Sequence, residues 1–180
     1  MAPVEGTAKA RDSAREELAQ IYEAELDYVW RTLARLGVRD ADCADAAHEV
    51  FLVVHRRLPD FDRSRPVRPW LFGIAYRVAL GMRRRASGNE VLGAATDTPS
   101  SARGPEDRAA MGQRWQLALR ALDMIPLERR TVFIMHLVDG ISVVEIARVL
   151  EIPLNTAYSR LRLAKVDFDR AVDRLQPSHG

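Results

Sequence analysis

GISVVEIARVLEIPLNTAYSRLRLAK, residues 140–165, is the stretch on which the fold turns. Its spacing predicts two short helices joined by a tight turn. Ser142 carries the side-chain oxygen of a good N-cap, and Glu145 three residues on fits a capping box. Val144, Ala147 and Leu150 supply an apolar face for the first helix. Ile152-Pro153 ends it, because proline fixes φ and disfavours the α conformation in the residue before it. A second helix is expected from Leu154, with an apolar stripe of Ala157, Leu161, Ala164 and Phe168. Thr156, Tyr158, Ser159, Arg160, Arg162 and Lys165 fall off that stripe. The small Ala147 lets the two helices cross closely, as a helix-turn-helix requires. The outward face offers short polar groups first and cations later, which suits the base edges and phosphates of a DNA major groove. A helical hairpin with a solvated basic face would share this pattern, so the upstream sequence has to separate the two.

The chain has 180 residues, enough for one or two small domains, and a hydrophobic content of 47% that supports ordinary cores. Its net charge is only +2, from 27 basic and 25 acidic residues, so a nucleic-acid surface must come from local clustering. Arginine supplies nearly all the positive charge, with Lys9 and Lys165 the only lysines, and arginine suits bidentate phosphate or guanine contacts. The single cysteine, Cys43, can form no internal disulfide and is too little for a cysteine zinc site. A reducing, cytoplasmic setting is therefore expected, with Cys43 as a small semi-buried filler. No apolar run has the length of a signal-peptide core or a membrane span.

Residues 1–12 are small and polar and read as a disordered tail. A first helix is expected from Ser13, with Glu16 completing a capping box, an apolar stripe from Leu18 to Leu36, and Gly37 as its stop. A second runs from Asp40 or Asp42 to about Leu58. The proline-rich and charged segment 59–69 reads as a stiff exposed loop. A third helix starts near Pro69 and ends in Arg83, Arg84 and Arg85, cations that complement a helix C-terminus. Residues 86–104 lose all apolar periodicity and read as a flexible linker. A helix from about Pro105 to Asp123 follows, with Trp115 and Leu122 inward, then one from Pro126 to Gly140. The expected architecture is all-α: two small helical domains, residues 13–85 and 105–175, joined by a linker and ending in a short tail at 176–180.

This ordered set resembles the extracytoplasmic-function (ECF) sigma factors of the sigma-70 family, across roughly Leu18 to Phe168. DCADAAHEVFLVVHRRL is similar to the family's helix that docks on RNA polymerase, with Asp45, His48, Glu49 and Phe51 at the matching positions. FDRSRPVRPWLFGIAYRVALGMRRR is similar to the segment that captures the melted −10 promoter element. Its aromatic and cationic residues are Phe61, Arg63, Arg65, Arg68, Tyr76, Arg77 and the arginines 83–85. Stacking platforms beside arginines suit unstacked bases. LNTAYSRLRLAK is similar to the helix that reads the −35 element, through Thr156, Tyr158, Ser159, Arg160, Arg162 and Lys165. His48 stands where the family commonly has glutamine, Arg77 where asparagine is frequent, Gly81 where aspartate is. Tyr158 and Leu163 replace frequent basic residues.

The resemblance implies core RNA polymerase, promoter DNA and an anti-sigma factor as partners, and no enzyme activity, cofactor, metal, small-molecule substrate or membrane insertion. A stand-alone helix-turn-helix regulator with an N-terminal sensor or dimerisation module is the alternative, but it leaves the arginine-rich loop before Trp70 unexplained. Asp45, His48 and Glu49 could suggest a metal or hydrolase site. His48 lacks a second histidine four residues away, and no phosphate loop or nucleophile motif is present.

Overall fold

The computed structural model describes residues 5–89 and 108–176, and within them every regular element is helical. The tails at 1–4 and 177–180 and most of the expected linker lie outside these residues. Helices α1 (Glu5–Arg35), α2 (Asp40–Arg57) and α3 (Val67–Asn89) form the first module. Helices α4 (Arg108–Asp123), α5 (Leu127–Phe133), α6 (Val143–Val149) and α7 (Leu154–Leu175) form the second. Among the described residues no helix is long and apolar enough to cross a membrane.

Several boundaries differ from the sequence expectation. Helix α1 begins at Glu5, so Ser13 and Glu16 lie within the helix and not at its start, and helix replaces most of the tail expected over 1–12. Helix α3 starts at Val67, ahead of Pro69, and runs past Arg85 to Asn89. Alanine and arginine are good helix formers, so the arginine run continues the helix where a stop was expected. Helix α5 passes into a wide π-type turn at Ile134–Val138 before Gly140 (φ 70°).

The first module packs Val29, Leu33 and Leu36 of α1 against Val50, Phe51 and Val54 of α2 and Leu71, Phe72 and Ile74 of α3. Gly37 (φ 85°) stops α1, with Val38 N–H bonding the Leu33 carbonyl and Gly37 N–H that of Ala34. This pair of bonds is a Schellman motif, which favours a glycine in the left-handed position.

The helix-turn-helix forms as its sequence indicates, with one rotation. The Ser142 hydroxyl accepts from the Glu145 backbone N–H at 3.3 Å. The Glu145 carboxylate, however, pairs with Arg148 instead of closing the second half of the capping box. Val144 is 62% exposed, and the buried face of α6 is Val143, Ile146 and Ala147. That i, i+3, i+4 set packs against both α7 and α3, and Val144 lies a third of a turn away from it. Helix α6 ends in the same bond pattern as α1, Ile152 N–H to Ala147 and Glu151 N–H to Arg148. Here the left-handed position is Glu151 (φ 56°), which costs about 1–2 kcal/mol in a residue with a side chain. On α7 the stripe is as expected: Ala157, Leu161 and Ala164 are buried, and Phe168 packs at a tilt against Phe133 with ring centroids 4.8 Å apart.

Candidate nucleic-acid and polymerase interfaces

Helix α7 carries the clearest surface. Tyr158 is 52% exposed, and Ser159, Arg162 and Lys165 are exposed beside it, opposite the buried stripe. Thr156 and Arg160 are half-buried on the flanks. Asn155, which the sequence reading passed over, is exposed in the first turn. Asparagine can contact adenine through two hydrogen bonds, so its residue type and its place before Thr156 were signal enough.

The loop before α3 is held by its own side chains. Asp62 accepts from the hydroxyl and backbone N–H of Ser64 and pairs with Arg65 at 2.8 Å. These bonds to Ser64, with Arg65, hold its carboxyl below the usual range. Arg63 makes a two-bond contact with Glu17, at 2.8 and 2.7 Å. Arg68 bonds Glu25 at 2.9 Å and lies over the Tyr28 ring. Phe61 stacks on Trp70 with centroids 4.4 Å apart, and both are half-buried. Phe72, one helical step on, is wholly buried. Arg83, Arg84 and Arg85 are exposed, and Arg85 approaches Glu49 at 3.4 Å.

The expected polymerase face on α2 is partly rearranged. Asp45 and His48 are exposed and Glu49 is half-buried, but Phe51 turns inward, 7% exposed, with Tyr22 edge-on to its ring at 4.7 Å. The apolar member of the outward face is Leu52, 47% exposed. Asp45, His48, Glu49 and Leu52 follow the i, i+3, i+4, i+7 rule for one helix face, which the sequence alone allowed. Cys43 lies on the buried face of α2, and burial, then Asp40 and Asp42, push its thiol up to about 11. At neutral pH it stays protonated, so it is a poor redox sensor. Among the described residues no group of His, Cys, Asp or Glu could hold a metal ion.

Two residues were misjudged from sequence. Trp115 was expected inside, yet it is 41% exposed, with the Arg35 guanidinium 5.3 Å from its ring centroid. The sequence assigns Arg130 no role. It is 1% exposed, bonds Asp123 at 2.7 Å and donates twice to the Ile125 carbonyl, fixing the turn between α4 and α5.

This arrangement agrees with comparisons to known proteins. The family pattern for Sigma-70 region 2 matches residues 21–88, and that for Sigma-70 region 4 matches residues 115–168. The ECF RNA polymerase sigma factor SigL of Mycobacterium tuberculosis is 31% identical over 168 residues, 91% of this chain and 92% of SigL. The chain belongs to the ECF sigma factors. The ECF RNA polymerase sigma-E factor of Escherichia coli K12 is 27% identical over 148 residues, 77% of this chain and 78% of that protein. Two solved structures share the fold. The sigma factor RpoE in complex with the anti-sigma factor NepR from Bartonella quintana has a TM-score of 0.70 at 18% identity, covering 88% of this chain and 98% of that one. CnrH in complex with the cytosolic domain of CnrY has a TM-score of 0.62 at 21% identity, covering 93% and 94%. As an ECF sigma factor the chain directs promoter-specific transcription initiation and is not an enzyme.

Proposed function

We propose that the first module, residues 13–85, binds core RNA polymerase and captures the −10 element, and that the second, residues 105–175, reads the −35 element. The observation that carries this reading is the outward face of α7. Its exposed Tyr158, Ser159, Arg162 and Lys165 stand on a buried stripe, behind a capped helix-turn-helix. A recognition helix enters the major groove with its first turns, so Tyr158, Ser159 and Arg162 become base readers and Arg160 a phosphate anchor. On α3 and the preceding loop, Phe61, Arg63, Arg65, Arg68, Tyr76, Arg77 and Arg83, Arg84, Arg85 are assigned to the −10 strand. On α2, Asp45, His48, Glu49 and Leu52 are assigned to the polymerase. Both solved structures hold a second protein, and in one of them, that of the sigma factor RpoE, it is the anti-sigma factor NepR; we assign this chain an anti-sigma partner too. Work on promoter DNA with polymerase places it in the cytoplasm.

Run-off transcription with purified core polymerase on a promoter library tests the reading. Transcripts should start downstream of one enriched pair of −10 and −35 sequences. Charge reversal at both Asp45 and Glu49 should weaken binding to core polymerase; unchanged affinity would remove that face from the reading.

A further inference from the structure

A glycine inside a helix calls for a reason, since glycine weakens a helix relative to any residue but proline. The usual reasons are a left-handed backbone, a helix end, or a neighbour that leaves no room for a Cβ. Gly73 and Gly37 have such reasons. A Cβ on Gly73 would stand 2.8 Å from Val149 Cγ1, on the seam along which α1 and α3 meet the second module. One on Gly37 would stand 2.5 Å from Arg130 Nη1, and Gly37 is also the left-handed stop of α1.

Gly81 has none of them. It lies in the interior of α3, well ahead of the helix end at Asn89. Its φ is not positive, unlike those of Gly37 and Gly140. Among the described residues, a Cβ added there meets nothing within 4 Å beyond its own stretch of helix. The fold would accept alanine and gain helix stability from it. What surrounds Gly81 is cationic. Arg77 precedes it by four residues, and Arg84 and Arg85 follow it by three and four. At helical spacing the three arginines and Gly81 share one face, with the glycine between Arg84 and Arg85 around the axis. All three arginines are exposed, and Gly81 is half-buried. Arg77 pairs with Glu151 at 2.7 Å and Arg85 approaches Glu49 at 3.4 Å. Exposed pairs of this kind hold weakly and exchange readily for phosphates. The result is a notch of bare helix backbone ringed by cations. Gly112 of α4 is equally open, but Trp115 and Gln116 stand where Gly81 has Arg84 and Arg85.

We propose that Gly81 seats the −10 strand: its sugar–phosphate backbone passes against the bare turn of α3, while Arg77, Arg84 and Arg85 hold phosphates on either side. This rests on the assignment of −10 capture to α3. Glycine is the residue that lets another backbone approach closely. The flanking cations make that approach favourable for a chain of anions. Phosphate contacts position a strand without reading its sequence. The turn therefore fixes where the strand runs and leaves the choice of bases to the rest of the −10 surface. Aspartate, frequent at this position in the family, would place a carboxylate in the notch, so the seat is a feature of this chain.

The test compares Gly81→Ala with Gly112→Ala, each in the full chain assembled with core polymerase. The probe is a labelled single-stranded oligonucleotide carrying the −10 sequence enriched in run-off transcription. Both variants should melt no lower than the native chain. Gly112→Ala should bind the strand as the native chain does. Gly81→Ala should bind it roughly tenfold more weakly, the scale of one lost charge-assisted hydrogen bond. It should still select the same −10 sequence from a library. Arg84→Ala should lower the log–log salt slope by about 0.7, the share of one phosphate contact on a single strand. Unchanged affinity in Gly81→Ala, or an equal loss in Gly112→Ala, overturns the proposal. So does a lower melting temperature of Gly81→Ala, since the fold itself would then need the glycine. An altered base preference overturns it too, because the turn would then read bases. If Arg84→Ala weakens binding and Gly81→Ala does not, the seat alone falls. If neither does, the assignment of α3 to the −10 strand falls with it.

Discussion

Helices α3 and α7 are both long and both assigned to DNA, yet they are built in opposite ways. On α3 a nearly continuous run, Leu71 to Ala75 with Val78 and Ala79, is buried against α1, α2 and α6. Its polar groups are confined to one edge and one end. On α7 the wholly buried residues are Ala157, Leu161, Ala164 and Ala171, a single narrow stripe, and most of the circumference faces water. A helix packed on three sides can offer DNA only its margins and the loop before it. A helix packed on one side can enter a groove. On the proposed assignment, the difference gives −10 capture to the margin of a packed helix and −35 reading to a whole helix face.

The largest expected effect lies in the buried helix. Phe72 is fully buried between the helices of the first module, and its truncation removes a large side chain from a close-packed core. Phe72→Ala should destabilise the chain by about 3–5 kcal/mol, read by denaturant unfolding. A loss below about 1 kcal/mol would mean that α3 is not the packed centre of its module, and the contrast with α7 would collapse.

Arg130 sharpens the contrast from the other side. The platform under α7 contains a buried cation where the surroundings of Phe72 are apolar. Burial lowers its pKa, yet a guanidinium keeps its charge. Arg130→Ala should cost about 3 kcal/mol, the lower end for breaking a buried pair, because its partner Asp123 is half-exposed and rehydrates. Thermal unfolding checks this, and a Met replacement that restored full stability would show that only the volume of the side chain matters.

These two residues also mark what the sequence made legible. The α7 stripe was readable because one-sided burial leaves a clean 3.6-residue period. On α3 that period is blurred by burial on several sides, so its start and end were misplaced, and Phe72 is the ring wholly inside while Trp70 is half-buried against Phe61. Arg130 looked like any surface arginine, since its carboxylate partner and the Ile125 carbonyl are brought to it by a turn. Phe51 and Leu52 are adjacent and both apolar; Phe51 lies on the buried stripe with Val50 and Val54, against Tyr22, and Leu52 lies off it. Local patterns fixed the existence of the helices; the seam contacts of Tyr28, Arg35 and Asp139 span more than a hundred residues and leave no local trace.

On the exposed face of α7 the expected effects concern DNA more than stability. Arg162 projects from the open face and Arg160 from its half-buried flank. Arg162→Ala should relax preference at one position of the −35 element, by about 1–3 kcal/mol if the contact is a two-bond one to guanine. Arg160→Ala should weaken binding to all sequences alike and reduce the log–log salt slope by about 0.9. Selection of −35 sequences with each variant separates the two. An unchanged selected sequence with Arg162→Ala would mean that α7 enters the groove on another face.

The smallest effect sits where the two helices' neighbourhoods meet, at Glu151. Its backbone is held left-handed (φ 56°) in the turn before α7, while its carboxylate reaches Arg77 on α3. Glu151→Gly relieves a backbone cost of about 1–2 kcal/mol. Against this stand the larger unfolded-state entropy of glycine, about 0.4–1 kcal/mol, and the loss of an exposed ion pair worth about 0–1 kcal/mol. The net change should be within about 1 kcal/mol of zero. Glu151→Ala loses the same pair but keeps a Cβ at positive φ, so it should be the less stable of the two variants by about 1 kcal/mol. Denaturant unfolding of both variants isolates the backbone contribution from the ion pair. Equal stability would show that the turn relaxes out of the left-handed region once Arg77 lets go, and that the seam itself imposes the strained conformation.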